Sequence, residues 1–381
     1  MKILDKIKFS YLALQKLKSK KIYFFFPFYH IGGAETVHLD IIKLFNVNDN
    51  NVCVITNKSI DTSNKKAFET HINVFDIHYL ISQAKVRRFA LKFTAWIINK
   101  ANNPVIFGCN SQFFYDLIPY LKSNVLIIDL IHAFADEEHS ASEKYSLSYV
   151  NRIDKRVVLG EKTFLDFKNL YIQNSISIEN LKKINIIKNK VNTPDFFPLK
   201  LKNERLKIIF VGRNSSEKRP ELFFKIATIC NDKNLKTDFL IIGDFKNYTF
   251  EIPRNTTLIG EIFNKIELNE HYINSNLLLI TSIREGFPMV VLEGMAYGVV
   301  PLCTNVGEIS EFINNANQNG FIIENEENIN IIASNFVNQI EMLEKNRNML
   351  NTISINAYET VKSNFGEVQF SENYNKLLKN Q

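Results

Sequence analysis

The sequence predicts an α/β protein built from two doubly wound, parallel-sheet domains. Three observations carry that prediction. Short β-branched and aromatic runs alternate with helical periodicity along the chain. The runs are almost continuously apolar, as in Lys207–Gly212 (KIIFVG) and Leu277–Ser282 (LLLITS), the pattern of parallel strands covered on both faces. The whole pattern also occurs twice in 381 residues, a length that exceeds one ordinary core.

In the first half, strands are expected at 21–27, 52–56, 72–77, 104–107, 124–129, 155–159 and 183–187. In the second they are expected at 206–212, 237–243, 256–259, 277–281, 299–303 and 321–323. Helical patterns lie between them, for example at 34–46, 217–231, 264–274 and 288–297. Asn192–Pro198, with two prolines, and the polar Lys200–Lys207 after it mark a linker. The expected domains are therefore 1–197 and 198–365. A last helix, 366–381, is expected to return toward the first domain. Ligands of such folds bind at the carboxyl ends of the strands, here in a cleft expected between the domains.

Composition excludes several classes. Hydrophobic residues make up 45% and charged residues 23%, the balance of a globular protein and not of a disordered or fibrous one. Cys53, Cys109, Cys230 and Cys303 are too far apart in sequence for a zinc knuckle or a CxxC pair, and are read as buried small hydrophobes in a reducing cytosol. No apolar run reaches the roughly 18 residues that span a bilayer, and no signal peptide is read at the N-terminus. A cytoplasmic location is expected. The net charge of +6 is unevenly spread: residues 1–21 hold seven Lys against one Asp, and 77–115 hold no acidic residue. The stretch 85–98 (KVRRFALKFTAWII) reads as a basic amphipathic helix with aromatics, which raises peripheral attachment to the inner face of the membrane. The competing reading is a helix packed on the sheet with a solvated basic edge. Nucleic acid is not an expected partner, because no recognisable binding module accompanies the charge.

Four segments can carry chemistry. In Glu285-Gly286-Phe287-Pro288-Met289-Val290-Val291-Leu292-Glu293, a strand ends and a helix begins. Gly286 permits close backbone approach, and Pro288 suits the first helical position. The free N–H groups of the helix start can bind a phosphate, and a carboxylate can accept from both hydroxyls of a ribose diol. In Phe210–Pro220, Gly212 ends a strand, and Arg213 and Lys218 bracket a polar loop where they can clamp a diphosphate. In His30-Ile31-Gly32-Gly33-Ala34-Glu35, two glycines lie between strand and helix, as a phosphate site or simply a tight turn. In Asp129–His132, a His stands at the end of a strand. GxxxxGK[ST], GxGxxG, HExxH, GxSxG and EF-hand patterns are all absent. Asp136-Glu137-Glu138-His139 is read as an acidic helix start and not as a metal site.

Taken together, these segments resemble glycosyltransferase family 4, the retaining nucleotide-sugar enzymes of GT-B fold. The resemblance rests on GGAE at 32–35, DLIH at 129–132, FVGRNSSEK at 210–218 and the run EGFPMVVLEGMAYGVVPLCTNVGEISE at 285–311. It implies a hexosyltransferase using a UDP- or GDP-sugar, with no cofactor and no metal. Glu285 would meet the donor sugar and Glu293 the ribose. Arg213 and Lys218 would hold the diphosphate, with Gly212 beside them. Gly32 and Gly33 would approach the phosphates, and His132 the sugar. Gly286, Phe287, Pro288 and Leu292 complete the implied donor set. The implied acceptor is a glycan or lipid-linked glycan, as in capsule, O-antigen or teichoic-acid-like synthesis. Other GT-B enzymes, such as a glycan phosphorylase or a sugar-nucleotide epimerase, and a non-catalytic nucleotide-sugar-binding module are the alternatives. The sequence departs from the family pattern at Asn189-Lys190-Val191, Glu293-Gly294-Met295 and Gly307-Glu308, which puts local loop geometry in question.

Overall fold

The computed structural model describes residues 2–30, 32–45, 50–134, 141–200, 204–246, 251–314 and 318–379. The acidic run 136–139 lies outside the described residues. By its internal contacts the chain divides into two units: unit 1 is Met1–Lys188 with Ser371–Gln381, and unit 2 is Asn189–Phe370. The division falls after Lys188, ahead of the prolines that suggested 197/198.

Unit 1 contains a seven-stranded sheet of β1 (Ile22–Phe26), β2 (Asn51–Ile55), β3 (Asn73–Asp76), β4 (Val105–Cys109), β5 (Leu126–Ile131), β6 (Lys155–Val158) and β7 (Ile184–Ile186). The spatial order is β3-β2-β1-β4-β5-β6-β7. Unit 2 contains β8 (Leu206–Val211), β9 (Thr237–Ile242), β10 (Thr256–Gly260), β11 (Leu277–Ile280), β12 (Val300–Thr304) and β13 (Phe321–Ile323), in the order β10-β9-β8-β11-β12-β13. Every pairing is parallel. The strands fall where the apolar runs predicted them. They are long in Val, Ile and Phe because side chains on both faces are enclosed: β1, β2, β4 and β12 are buried at every position. Each sheet reverses its winding once, between β1 and β4 and between β8 and β11, and doubly wound sheets bind ligands at such a reversal.

The helices follow their sequence signals. Asn328 caps Ile329–Lys345 by accepting from the Asn330 N–H, and Asn346 caps Arg347–Asn364 by accepting from the Met349 N–H. Pro220 stands at the first position of Pro220–Asp232, where its missing N–H costs nothing. All four cysteines are free and buried.

The helix Ala84–Ile98 is only partly the amphipathic surface that its sequence suggested. Val86, Ala90, Leu91, Thr94, Ala95, Ile97 and Ile98 are buried. Phe89 and Phe93 are half-buried, each against Phe9 of the helix Lys2–Leu17 at 6.5 and 6.4 Å between centroids. Arg87 is paired with Asp116 at 2.7 Å. Lys85, Arg88, Lys92 and Trp96 remain exposed. The more exposed apolar residues lie on Lys2–Leu17 itself, with Ile3 74% and Leu4 70% accessible.

Candidate functional site

In unit 2 the carboxyl edge of the sheet brings two of the sequence segments together. The chain leaves β8 at Val211, passes Gly212 and the exposed Arg213, and makes a short 3-10 turn at Ser216–Lys218. The chain leaves β11 at Ile280, with Thr281 and Ser282 buried, and reaches Glu285. Lys218 Nζ and Glu285 Oε1 are 2.5 Å apart, and Ser282 Oγ donates to the same carboxylate oxygen at 2.6 Å. Both members of the ion pair keep some exposure, 21% for Lys218 and 10% for Glu285. Among the described residues, the Arg213 side chain has no hydrogen-bond or ion-pair partner.

Several contacts hold the two loops in register. Ile283 N–H donates to Glu217 O at 2.8 Å, and Thr281 Oγ1 donates to Lys218 O at 2.7 Å. Arg219, next to Lys218, adopts a left-handed conformation at φ 45°, ψ 58°. That conformation costs a non-glycine residue about 1 kcal/mol. Its guanidinium offsets the cost by donating to Thr281 O at 2.6 Å, Ser282 O at 3.3 Å and Asn325 Oδ1 at 2.6 Å. Sequence reading placed Arg219 in a continuous helix start and missed this role.

Two glycines explain the tight packing at this edge. A Cβ on Gly243, at the end of β9, would lie 2.0 Å from Gly212 O. A Cβ on Gly307, at φ +56°, would lie 2.2 Å from Gly286 O and 2.5 Å from Glu285 O. Glu308 N–H donates to Gly286 O at 3.0 Å. Position 307 therefore requires glycine. Glu308 sits at an ordinary φ of −86°, so the Gly307-Glu308 departure leaves the loop's backbone unstrained. At Gly294 an added methyl would approach Leu278 Cδ2 to 3.1 Å. Lys190 pairs with Glu367 and lies over the Phe370 ring at 5.7 Å.

The helix after Glu285 runs Met289–Ala296, with no side chain capping its start. Pro288 is not its first residue, as its sequence position suggested, but the residue before it, at φ −71°, ψ 100°. Phe287 is 7% exposed and packs against Phe312 at 5.3 Å and Phe365 at 5.7 Å, so its ring anchors the loop. Leu292, placed with the donor set, is fully buried. Its side chain belongs to the core, because i+3 from Met289 returns to the face that meets the sheet. Glu293 is partly buried, receives the Tyr272 hydroxyl at 3.4 Å and lies 3.9 Å from Lys265. Burial raises its carboxyl above the usual range, against the lowering effects of Lys265 and Tyr272.

In unit 1, Gly33 opens the helix Gly33–Phe45, the first helix after β1, and Thr36 N–H donates to Gly32 O at 3.1 Å. A Cβ on Gly32 would meet Glu35 Oε2 at 2.6 Å. His132 lies one residue beyond β5, and its Nε2 is 3.0 Å from Nε2 of His38. Burial lowers both imidazoles, His132 to about 4 and His38 well below its usual value, so both rings are neutral at physiological pH. Sequence reading took His132 as a lone residue and did not single out His38. Unit 1 also has a cavity of about 360 Å³ whose lining includes Asn57, Lys58, His78, Tyr79, Arg87 and Gln112.

Two parallel Rossmann-like sheets, with a Lys–Glu cluster at the winding reversal of the second, define a protein of the GT-B fold class. Solved structures of that class superpose on nearly the whole chain. The Anabaena HepE protein in complex with UDP and glucose aligns with a TM-score of 0.72 at 17% identity, covering 94% of this chain and 99% of that one. The lipopolysaccharide outer core galactosyltransferase WaaB aligns at 0.69 and 19%, covering 93% and 98%.

Residues 191–360, most of unit 2, match the family described as Glycosyl transferases group 1. An uncharacterized 41.2 kDa protein in the cps region of Klebsiella pneumoniae is 26% identical over 63% of this chain and 63% of that one. The glycogen synthase of Aquifex aeolicus is 23% identical over 76% of this chain and 64% of that one. The chain thus spans under two thirds of the length of these relatives. The capsular polysaccharide biosynthesis glycosyltransferase CapM of Staphylococcus aureus is 28% identical over 47% of this chain and 48% of that one.

Proposed function

We propose that the chain is a retaining glycosyltransferase of family 4. It moves a hexose from a UDP- or GDP-sugar to a glycan or lipid-linked glycan in the synthesis of a cell-surface polysaccharide. The observation that carries this reading is the Lys218–Glu285 pair, with Arg213 uncommitted in the loop that holds Lys218, at the winding reversal of unit 2. The group 1 match and the cps and CapM relatives support it.

The chemistry follows from the charges. Breaking the sugar–phosphate bond develops negative charge on the departing nucleoside diphosphate. An ammonium held by Glu285 and an unpaired guanidinium in the same loop are available to meet that charge. Lys218 exchanges part of its contact with Glu285 for the phosphate, which leaves Glu285 Oε1, still fixed by Ser282, for the sugar. Glu293 accepts from the ribose diol. The cations take the role a divalent ion plays in other transferases, so turnover is expected not to rise with added Mg²⁺ or Mn²⁺. The cavity of unit 1, rich in amide, imidazole and guanidinium donors beside Tyr79, is assigned to the acceptor glycan.

Peripheral attachment to an anionic membrane is part of the proposal. Exposed Ile3, Leu4, Ile7 and Tyr11 lie on a helix that packs against Ala84–Ile98, which exposes Lys85, Arg88, Lys92 and Trp96. No described helix is long and apolar enough to cross a bilayer. Sedimentation with anionic vesicles at low salt tests attachment, and failure to co-sediment would remove it.

The activity is tested by incubating the chain with a panel of nucleotide sugars and lipid-linked acceptors. Nucleotide release and the anomeric configuration of the product are read together. Release from one donor with the donor's configuration preserved is expected. Binding of UDP or GDP without release from any donor overturns the enzymatic reading. An inverted product overturns retention.

A further inference from the structure

Three side chains from separate segments of unit 1 converge beside the carboxyl edge of its sheet. His38 lies on the helix Gly33–Phe45, Cys109 is the last residue of β4, and His132 lies just past β5. One ligand atom from each lies within 4.8 Å of the other two. The two Nε2 atoms are 3.0 Å apart. In a tetrahedral zinc site, with Zn–N about 2.0–2.1 Å and Zn–S about 2.3 Å, two nitrogens stand about 3.3 Å apart and a nitrogen and a sulfur about 3.5 Å. A few tenths of an ångström of side-chain adjustment therefore suffices on the nitrogen side.

We propose that His38, Cys109 and His132 form a binding site for a zinc-class divalent cation. Two imidazoles and a thiolate are the ligand set that zinc prefers, and magnesium or calcium would not select it. His38 is fully buried and its ring stacks on Phe26 at 4.0 Å, nearly parallel, which fixes the plane in which Nε2 faces His132. A hydrogen-bonded histidine pair accounts for two ring nitrogens but needs no thiol beside it. Of the two carboxylates that act on Cys109, Asp129 is paired with the buried Arg156 at 2.6 Å, and Glu35 supplies the negative charge that favours a cation. Water can take the fourth position. On binding, the Cys109 proton passes to solvent and the thiolate joins the metal. The cation would pin three chain segments, including the one that carries Gly33. The inference does not rest on the glycosyltransferase reading, and its test does not read turnover.

The test titrates Co²⁺ and Zn²⁺ into untagged full-length protein. One equivalent of Co²⁺ is expected to give a thiolate-to-cobalt charge-transfer absorption that Zn²⁺ abolishes. Zinc-edge X-ray absorption of the wild-type protein is expected to show one sulfur and at least two nitrogens. The Cys109→Ser variant, checked for folding by circular dichroism, is expected to lose the cobalt band. His38→Gln is expected to bind zinc at least tenfold more weakly. Absence of saturable one-equivalent binding, a zinc shell without sulfur, or a band that survives in Cys109→Ser overturns the proposal. The X-ray shell decides the matter without any variant, should the substitutions prevent folding.

Discussion

Lys218 Nζ lies 2.5 Å from Glu285 Oε1, joining the loop after β8 to the loop after β11. These strands are neighbours only because the sheet reverses its winding between them. The pair is partly exposed and is not part of the core, so its cation can turn to a ligand at modest cost. Replacing Lys218 with Ala is expected to lower donor turnover by about 30- to 1000-fold, the 2–4 kcal/mol lost with one preorganised donor at a developing oxyanion. Steady-state nucleotide release checks this. Turnover within a few-fold of wild type would remove Lys218 from the reaction.

Arg219 acts on Lys218 through the backbone. Its three donor contacts hold a left-handed residue between the Lys218 turn and Pro220. Arg219→Ala keeps the backbone penalty and loses the contacts, and is expected to cost about 1–3 kcal/mol of stability in urea unfolding. Turnover should fall as well, because Lys218 loses its fixed position. Arg219→Lys is expected to fall nearly as far, since an ammonium cannot make the same fork. Full activity in Arg219→Lys would show that charge alone suffices.

Gly307 is the residue whose removal most directly disturbs the motif loop. Gly307→Ala places a methyl against two carbonyl oxygens at a positive φ. The expected loss is about 1–3 kcal/mol of stability, with weaker nucleotide binding because Glu285 and Gly286 must shift. Calorimetric titration with UDP and GDP, beside a thermal melt, separates the two effects. A stable variant with unchanged affinity would mean that the loop accommodates the methyl elsewhere.

The fold was legible in the sequence because parallel strands enclosed on both faces are written as apolar runs, and Leu277–Ile280 and Leu206–Val211 differ sharply from their flanks. The Lys218–Glu285 encounter was legible in part: each residue lies in the loop that follows a strand of the same sheet, and sheet order decides that the strands adjoin. What stayed hidden depends on backbone conformation or distant partners. Arg219 before Pro220 reads as an ordinary helix start, and nothing local announces a left-handed turn. His132 looked solitary because its partner His38 lies on a helix 94 positions away. Leu292 sat inside a motif whose neighbours can face a ligand, but helical periodicity turns its side chain into the core.

Glu293 offers a test that separates a ligand-binding carboxylate from a structural one. Burial raises its pKa in the folded chain above the unfolded value. Between the two values the folded state holds the proton more tightly, so this group's contribution to stability is greatest at low pH and declines as pH rises through the folded pKa. At neutral pH the ionised carboxylate is therefore a cost that Lys265 and Tyr272 only partly offset. Glu293→Gln removes the charge while its amide oxygen can still accept from Tyr272. The variant is expected to be at least as stable as wild type at pH 7, and to lack the decline just above the ordinary carboxylate range. Its affinity for UDP or GDP is expected to fall by about tenfold or more, since hydrogen bonds to a charged acceptor are worth about 1.5–3 kcal/mol. Urea unfolding across pH and nucleotide titration supply the two readouts. A variant that loses stability at pH 7 and binds nucleotide unchanged would assign Glu293 to the scaffold and withdraw it from the ribose.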